Sequence, residues 1–138
     1  MKDRITPLIA AAVLAVILVG TSAPAARAGG FSFTFEWGDI PLCTSGQPNI
    51  VANPRFTLRD VPPGTVVLSF TLRDLNVPGY DHGGGEVRYT GQTVIAPGAF
   101  RYRSPCPPNE RHTYQWQATA IDAAGRAIAT AAMERVYP

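Results

Sequence analysis

Alternating apolar and polar residues occur in several segments of the chain and predict β-strands that bury one face. The clearest alternation covers residues 65–74, and a second strong one covers residues 113–121. The predicted buried face of the first strand consists of Val66, Leu68, Phe70 and Leu72. That of the second consists of Tyr114, Trp116, Ala118 and Ala120. These two strands are the strongest predictions along the chain.

Shorter segments predict further strands at residues 31–37, 55–58 and 100–103, and a hairpin at residues 86–95 that turns at Gly91. Short strands separated by glycine- and proline-rich turns are typical of an all-β sandwich or barrel. We therefore expect little or no helix in the mature chain. With 138 residues and no internal repeat or linker, the chain is expected to form one domain.

The last segment, residues 126–137, contains alanines that would suit a helix, together with Thr130, Val136 and Tyr137, which suit a strand. It follows a tight turn at Ala123-Ala124-Gly125, so it can pair with the strand before it. We therefore predict a strand for this segment.

The N-terminal segment has the pattern of an export signal. Basic residues precede an uncharged apolar run at residues 8–19, which is too short to span a bilayer that needs about 20 residues. Small residues follow and end in Ala26-Arg27-Ala28, an A-x-A cleavage pattern. We therefore predict a cleaved signal peptide at residues 1–28, a mature domain at residues 29–138, and a periplasmic or secreted location. An uncleaved membrane anchor is the alternative.

The charge of the predicted mature domain excludes one class of partner. Residues 29–138 contain as many arginines as acidic residues and no lysine, so the domain is formally neutral. A protein that binds a polyphosphate backbone needs a basic field, which this domain lacks. We therefore expect no nucleic-acid partner, and no membrane span once the signal is cleaved.

The predicted mature domain contains two cysteines, Cys43 and Cys106. In an oxidising compartment such a pair most often forms a disulfide. Two free buried thiols are one alternative. A zinc site is another, in which the two thiolates would join His82 and His112, although no pair of these residues has the spacing of a zinc finger.

The alternation also places three polar residues of the two strong strands near one another. Asp74 shares the buried face of the first strand at its end, while His112 and Tyr114 share the buried face at the start of the second. If the strands are antiparallel, these residues meet at one rim of the core. A carboxylate over a core needs a partner, and His112 is a candidate. The alternative is that Asp74 only caps a turn into Val77-Pro78.

Other candidate chemistry is less specific. The glycine run in residues 81–85 could cradle an anion with its backbone N–H groups, or could be a mobile connection. Ser104, His112 and Asp74 could be written as a hydrolytic triad, but the chain contains no G-x-S-x-G, H-E-x-x-H or phosphate-loop motif. We therefore predict no enzyme, no metal and no cofactor.

Several short motifs, taken in order, resemble the phosphatidylethanolamine-binding protein family. Residues 74–78, D-L-N-V-P, resemble its D-x-D-x-P motif, and residues 104–108, S-P-C-P-P, followed by H-T-Y at 112–114, resemble its G-P-x-P-P…H-R-Y motif. Residues 43–46, 53–54 and 61–65 resemble landmarks of the bacterial, Raf kinase inhibitor-like branch.

The resemblance implies an antiparallel β-sandwich with a small pocket at one end that binds anions such as a phosphate head group. The ligand-binding residues that it implies are Asp74, His82, Pro105, His112 and Tyr114. The sequence departs from the family pattern at Asn76, Ser104 and Thr113, which stand in place of Asp, Gly and Arg.

From these observations we expect an exported binding protein for a small anionic ligand or a phospholipid head group. A protein-interaction module that inhibits a protease or another enzyme is the alternative, because the family has such members. A hydrolase is the third possibility.

Overall fold

The computed structural model describes residues 30–138, so the predicted signal peptide lies outside the described residues. Within residues 30–138 the chain forms nine strands and no helix. The strands are β1 Ser32–Glu36, β2 Ile50–Ala52, β3 Arg55–Arg59, β4 Thr65–Asp74, β5 Gly84–Arg88, β6 Val94–Ile95, β7 Arg101–Arg103, β8 His112–Asp122 and β9 Ala127–Tyr137. No helix long and apolar enough to cross a membrane occurs in this part of the chain.

The strands form three antiparallel sheets, in agreement with the all-β class that the sequence predicted. Four strands pair in the order β5-β4-β8-β9, three pair in the order β1-β3-β6, and β2 pairs with β7. The long strands β4 and β8 lie side by side at the centre of the four-stranded sheet. The alanine-rich tail forms β9 and pairs with β8, which confirms the strand prediction for that segment.

Aromatic side chains fill the core where the three sheets meet. Trp116 of β8 is fully buried, and its ring lies edge-on to Phe56 of β3 and to Tyr102 of β7, with centroids 5.3 and 5.0 Å apart. Phe56 also stacks on Phe70 of β4 at 4.4 Å. Because these residues come from different sheets, their contacts hold the sheets together.

The prediction of the core face of β4 is wrong at one residue. Val66 is 38% exposed, whereas Leu68, Phe70 and Leu72 are buried as predicted. The pairing of β4 with β8 shifts register between Thr65 and Val67. A bulge of this kind changes the side that a residue faces, so the period-two pattern fails at that position.

The predicted hairpin at residues 86–95 is also wrong. β5 pairs with β4, whereas β6 pairs with β3 in a different sheet. The connection therefore carries the chain from one sheet to the other, although it contains the expected turn. The side chain of Gln92 stabilises that turn by accepting a hydrogen bond from Thr90 N and donating one to Arg88 O, with separations of 2.7 and 2.8 Å.

The glycines that begin β5 are required by close packing, which gives a testable prediction. A Cβ atom on Gly84 would overlap the backbone carbonyl oxygen of Phe70. We expect Gly84→Ala to lower the free energy of unfolding by about 1–3 kcal/mol, because β5 would have to move away from β4. Denaturant titration measures this loss.

The matched control is Gly79→Ala, because a Cβ atom there would meet no other group within 4 Å. The control should change stability by less than about 0.5 kcal/mol. If the two variants lost stability equally, the close packing of β5 on β4 would not be the cause.

Candidate functional site

A cavity of about 500 Å³ lies at the end of the four-stranded sheet where β4 ends and β8 begins. The register pairs Asp74 with Tyr114 at this rim. The lining residues come from three loops and two strand ends: Cys43, Gly46, Gln47, Pro48, Asp74, Val77, Tyr80, His82, Cys106, Pro107, Pro108, Asn109, His112 and Tyr114. Four of the five predicted ligand-binding residues are therefore in its wall.

Asp74 and His112 form a buried pair in this wall. His112 Nδ1 donates to Asp74 Oδ2 at 2.6 Å, and both side chains are almost fully buried. The other carboxylate oxygen, Oδ1, accepts from Asn76 N at 2.8 Å and from Val77 N at 3.1 Å. Asp74 is therefore both the partner of His112 and the cap of a turn, which the sequence analysis gave as alternatives. Burial alone would raise the pKa of Asp74, but these hydrogen bonds outweigh it and lower that pKa.

The second ring nitrogen of His112 also faces a carboxylate. His112 Nε2 lies 3.1 Å from Glu110 Oε1. Only the imidazolium form has a proton on both nitrogens, so it alone satisfies both carboxylates. The hydrogen bonds to Asp74 and to Glu110 raise the pKa of His112. The wall of the cavity therefore contains a cation held between two anions.

His82 lies in the same wall and is held by β7 at two points. Its backbone carbonyl accepts from Arg103 N at 2.8 Å, and its Nδ1 lies 2.9 Å from Arg103 O. Because a carbonyl oxygen can only accept, Nδ1 carries the proton and Nε2 is the remaining polar atom of the ring. Burial lowers the pKa of His82, so the ring is mostly neutral at neutral pH.

Tyr114 completes the polar part of the wall, and its ring is fully buried. Burial, together with the nearby carboxylate of Asp74, raises the pKa of Tyr114. Its hydroxyl therefore keeps its proton at physiological pH. The ring centroids of Tyr114 and His82 are 5.4 Å apart in an edge-to-face contact.

Pro105 is placed differently from the other predicted ligand-binding residues. It is fully buried and does not line the cavity. Its neighbours Cys106, Pro107 and Pro108 form that part of the wall. The prediction for Pro105 came from the family resemblance alone, because the alternation used for strands does not apply to this proline-rich loop.

Cys43 and Cys106 join two loops of the wall. Their Cα atoms are 5.4 Å apart and their sulfur atoms lie at disulfide-bonding distance. Both thiols are therefore used in the pair, and the zinc site considered from the sequence does not form. Residues 30–138 contain no group of three or more histidine, cysteine or acidic side chains arranged to hold a metal ion.

Two other arrangements considered from the sequence do not form. The Ser104 hydroxyl is buried without a hydrogen-bond partner in the described chain, and both ring nitrogens of His112 face carboxylates, so there is no serine triad. In the glycine run only His82 lines the cavity. Gly83 N donates instead to Asp81 Oδ1 at 2.8 Å, and the next two glycines begin β5.

Sequence reasoning missed several residues of the site. Tyr80 lies against His82 with ring centroids 4.7 Å apart. Gln47 and Pro48 line the cavity from the loop that contains Cys43. Glu110 was missed as a partner of His112. The one available signal was its position two residues before His112, next to the proline-rich motif.

The solved structures that are similar to this chain in fold include two bacterial proteins. The first is a putative phosphatidylethanolamine-binding protein homolog, CT736, from Chlamydia trachomatis, with a TM-score of 0.59 and 22% identity over 79% of this chain and 97% of that one. The described chain has the fold of phosphatidylethanolamine-binding proteins. The second is YbcL from E. coli, titled a new member of the mammalian family, with a TM-score of 0.56 and 19% identity over 79% of this chain and 98% of that one.

The phosphatidylethanolamine-binding protein fold agrees with the all-β prediction made from the sequence. Comparison of the sequence found no match, either to a protein-family model or to a curated protein. The motifs at residues 43–46, 74–78, 104–108 and 112–114 each contribute residues to the cavity wall, whereas residues 53–54 and 61–65 do not line it. Asp74, at the start of the first motif, and His112, at the end of the second, are hydrogen-bonded to each other.

Proposed function

We propose that the chain is an exported binding protein of the phosphatidylethanolamine-binding protein type, whose cavity takes a small anionic group such as the phosphate of a head group. The observation that carries the proposal is the wall that joins the imidazolium of His112, held by Asp74, to the inward-facing ring of His82. The N-terminal pattern and the disulfide pair support export, because disulfides persist in oxidising compartments.

The cavity offers donors at several points for an anion. His82 Nε2 has no hydrogen-bond partner within residues 30–138, and it becomes a donor when the ring is protonated. Tyr114 lies beside it in the wall, and its ring packs edge-to-face against that of His82. Val77, Pro107 and Pro108 add apolar surface to the wall, which also contains the polar side chains of Gln47 and Asn109.

The electrostatics of the wall give the binding a definite pH dependence. An anion beside the carboxylate of Asp74 is unfavourable unless protonated histidines lie between them. Because the pKa of His82 is lowered, this ring gains its proton only as the pH falls below the usual histidine range. We therefore expect anion binding to weaken as the pH rises.

Calorimetry with phosphoethanolamine at about pH 5.5 and about pH 8 tests this proposal. We expect binding at least about tenfold weaker at the higher pH, since one charge-assisted hydrogen bond is lost. Sulfate, whose charge is constant over this range, separates the titration of the protein from that of the ligand. His82→Ala should remove most of the pH dependence. Equal affinity for sulfate at both pH values would contradict the proposed role of the histidines.

A further inference from the structure

The side chain of Glu110 takes the hydrogen bond that His112 could otherwise offer to a ligand. His112 Nδ1 is committed to Asp74, and Nε2 lies 3.1 Å from Glu110 Oε1. In the described structure His112 therefore has no free N–H group. An anion that is to be bound by His112 must first replace one of the two carboxylates.

We infer that Glu110 is an internal competitor for the anion position, so that a ligand enters the hydrogen bond to His112 by displacing this side chain. The inference rests on the proposed function, because it concerns the same cavity. It makes Glu110 a specificity-determining residue: the incoming group has to bind imidazolium better than a tethered carboxylate does.

Glu110 is the carboxylate that can leave. Its side chain is 67% exposed, and the contact with His112 is its one hydrogen bond in the described chain. Asp74 is held at the end of β4, is 5% exposed, and accepts two backbone N–H groups besides His112. Returning an exposed side chain to water costs little, whereas removing a buried carboxylate leaves several donors without a partner.

The backbone places Glu110 in this position. It follows Asn109, which lines the cavity and has a positive φ of 57°. The next residue, Arg111, is anchored by a hydrogen bond from its Nε to Pro138 O at 2.8 Å. These two features restrain the chain on either side of Glu110, while its exposed side chain extends to His112.

The charges of the other polar groups around His112 also favour competition between Glu110 and an incoming anion. Asp74 faces it from β4, Tyr114 from β8, and Tyr137 is its partner in the register of β9, while His82 shares the cavity wall. Asp74 and Glu110 are the anions in this set, and His112 is the cation. While Glu110 is in place, an added anion would meet a net negative charge from these side chains. Once Glu110 has moved away, the charges of Asp74 and His112 cancel. Protonation of His82 in acidic solution then supplies the positive charge that balances the anion.

This arrangement favours one class of anion. A monocarboxylate offers His112 nothing that Glu110 does not already provide at high local concentration. A phosphate group carries more charge and more acceptor oxygens, so it can accept a further hydrogen bond from protonated His82 in the same wall. The structure therefore favours a phosphate group over a carboxylate ligand.

The test compares the wild-type protein with Glu110→Ala at about pH 6, where Asp74 keeps His112 protonated in both. The probes are inorganic phosphate, phosphoethanolamine and acetate, and NMR titration gives each affinity. We expect both phosphate compounds to bind about tenfold more tightly to Glu110→Ala, and acetate binding to become measurable in that variant alone. Glu110→Gln should lie between the two, since its amide oxygen can still accept.

Glu86→Ala is the matched control, because it removes an exposed carboxylate of β5 that does not line the cavity. It should leave all three affinities unchanged. A second readout needs no ligand: the imidazole titration of His112 should move to lower pH in Glu110→Ala and stay in place in Glu86→Ala.

The outcomes separate the inference from the proposed function. Equal phosphate affinity in the wild type and Glu110→Ala, or an unchanged titration of His112, would overturn the inference and leave the phosphate cavity standing. Absence of phosphate binding in every variant would overturn the proposed function and the inference with it.

Discussion

Asp74→Ala is expected to lower the free energy of unfolding by about 3–5 kcal/mol, because it leaves a buried cation without its main partner. His112 is 2% exposed, and after the change Glu110 alone would face its ring. The N–H groups of Asn76 and Val77 would lose their acceptor as well. Denaturant titration at about pH 6 measures the loss, and calorimetry with phosphoethanolamine should show that anion binding is lost with it.

The sign of the pH dependence follows from the two partners. The pKa of folded His112 is raised, so its stabilisation is complete below about pH 6.5 and is lost as the pH rises through the raised value. The pKa of folded Asp74 is lowered, so its contribution is present above about pH 4 and is lost as the pH falls through the lowered value. The gap between wild type and Asp74→Ala should therefore be widest between these limits and should narrow in alkaline solution.

Asp39→Ala is the control for the loss of one carboxylate, because Asp39 is exposed and lies outside the cavity wall. It should change stability by less than about 0.5 kcal/mol. A gap between wild type and Asp74→Ala that stays constant from acidic to alkaline solution would show that the buried ion pair is not its source.

Reduction of the disulfide is the second change with a large expected effect. The linked residues, Cys43 and Cys106, are 63 positions apart, so the bond closes a long loop in the unfolded chain. On the chain-entropy account a loop of this length contributes about 4 kcal/mol. Adding dithiothreitol to the wild type, or replacing both cysteines with serine, should lower the free energy of unfolding by about that amount.

The same change should affect the cavity. The bond ties the loop that contains Gly46, Gln47 and Pro48 to the loop that contains Pro107 and Pro108. Once it is cut, one side of the wall is held by fewer contacts, and we expect anion affinity to fall. The double serine variant should not respond to dithiothreitol. Unchanged stability of the wild type after full reduction would show that the bond does not support the fold.

The part of the site that could be predicted from the sequence lies on regular strands. β4 and β8 are long, antiparallel and in register over most of their length, so alternation alone decides which side each residue faces. That is why the sequence alone predicts that Asp74 and Tyr114 lie at one rim. The same logic failed at Val66, where a bulge interrupts the register.

The remainder depends on contacts between distant segments and on loop conformation. β6 pairs with β3 rather than with its neighbour β5, a choice that residues 86–95 do not encode locally. The position of Glu110 over His112 depends on the positive φ of Asn109, and no hydrophobic pattern reports a loop dihedral.

The double attachment of His82 to Arg103 has a consequence for the proposed effect of pH on anion binding. The ring and the backbone of this histidine are both hydrogen-bonded to β7, so the imidazole cannot rotate when it takes up a proton. Acidification then alters only the charge of a rigid receptor. Ligand binding would not have to order the His82 side chain, because the entropic cost of fixing its rotamer is already part of the folding free energy.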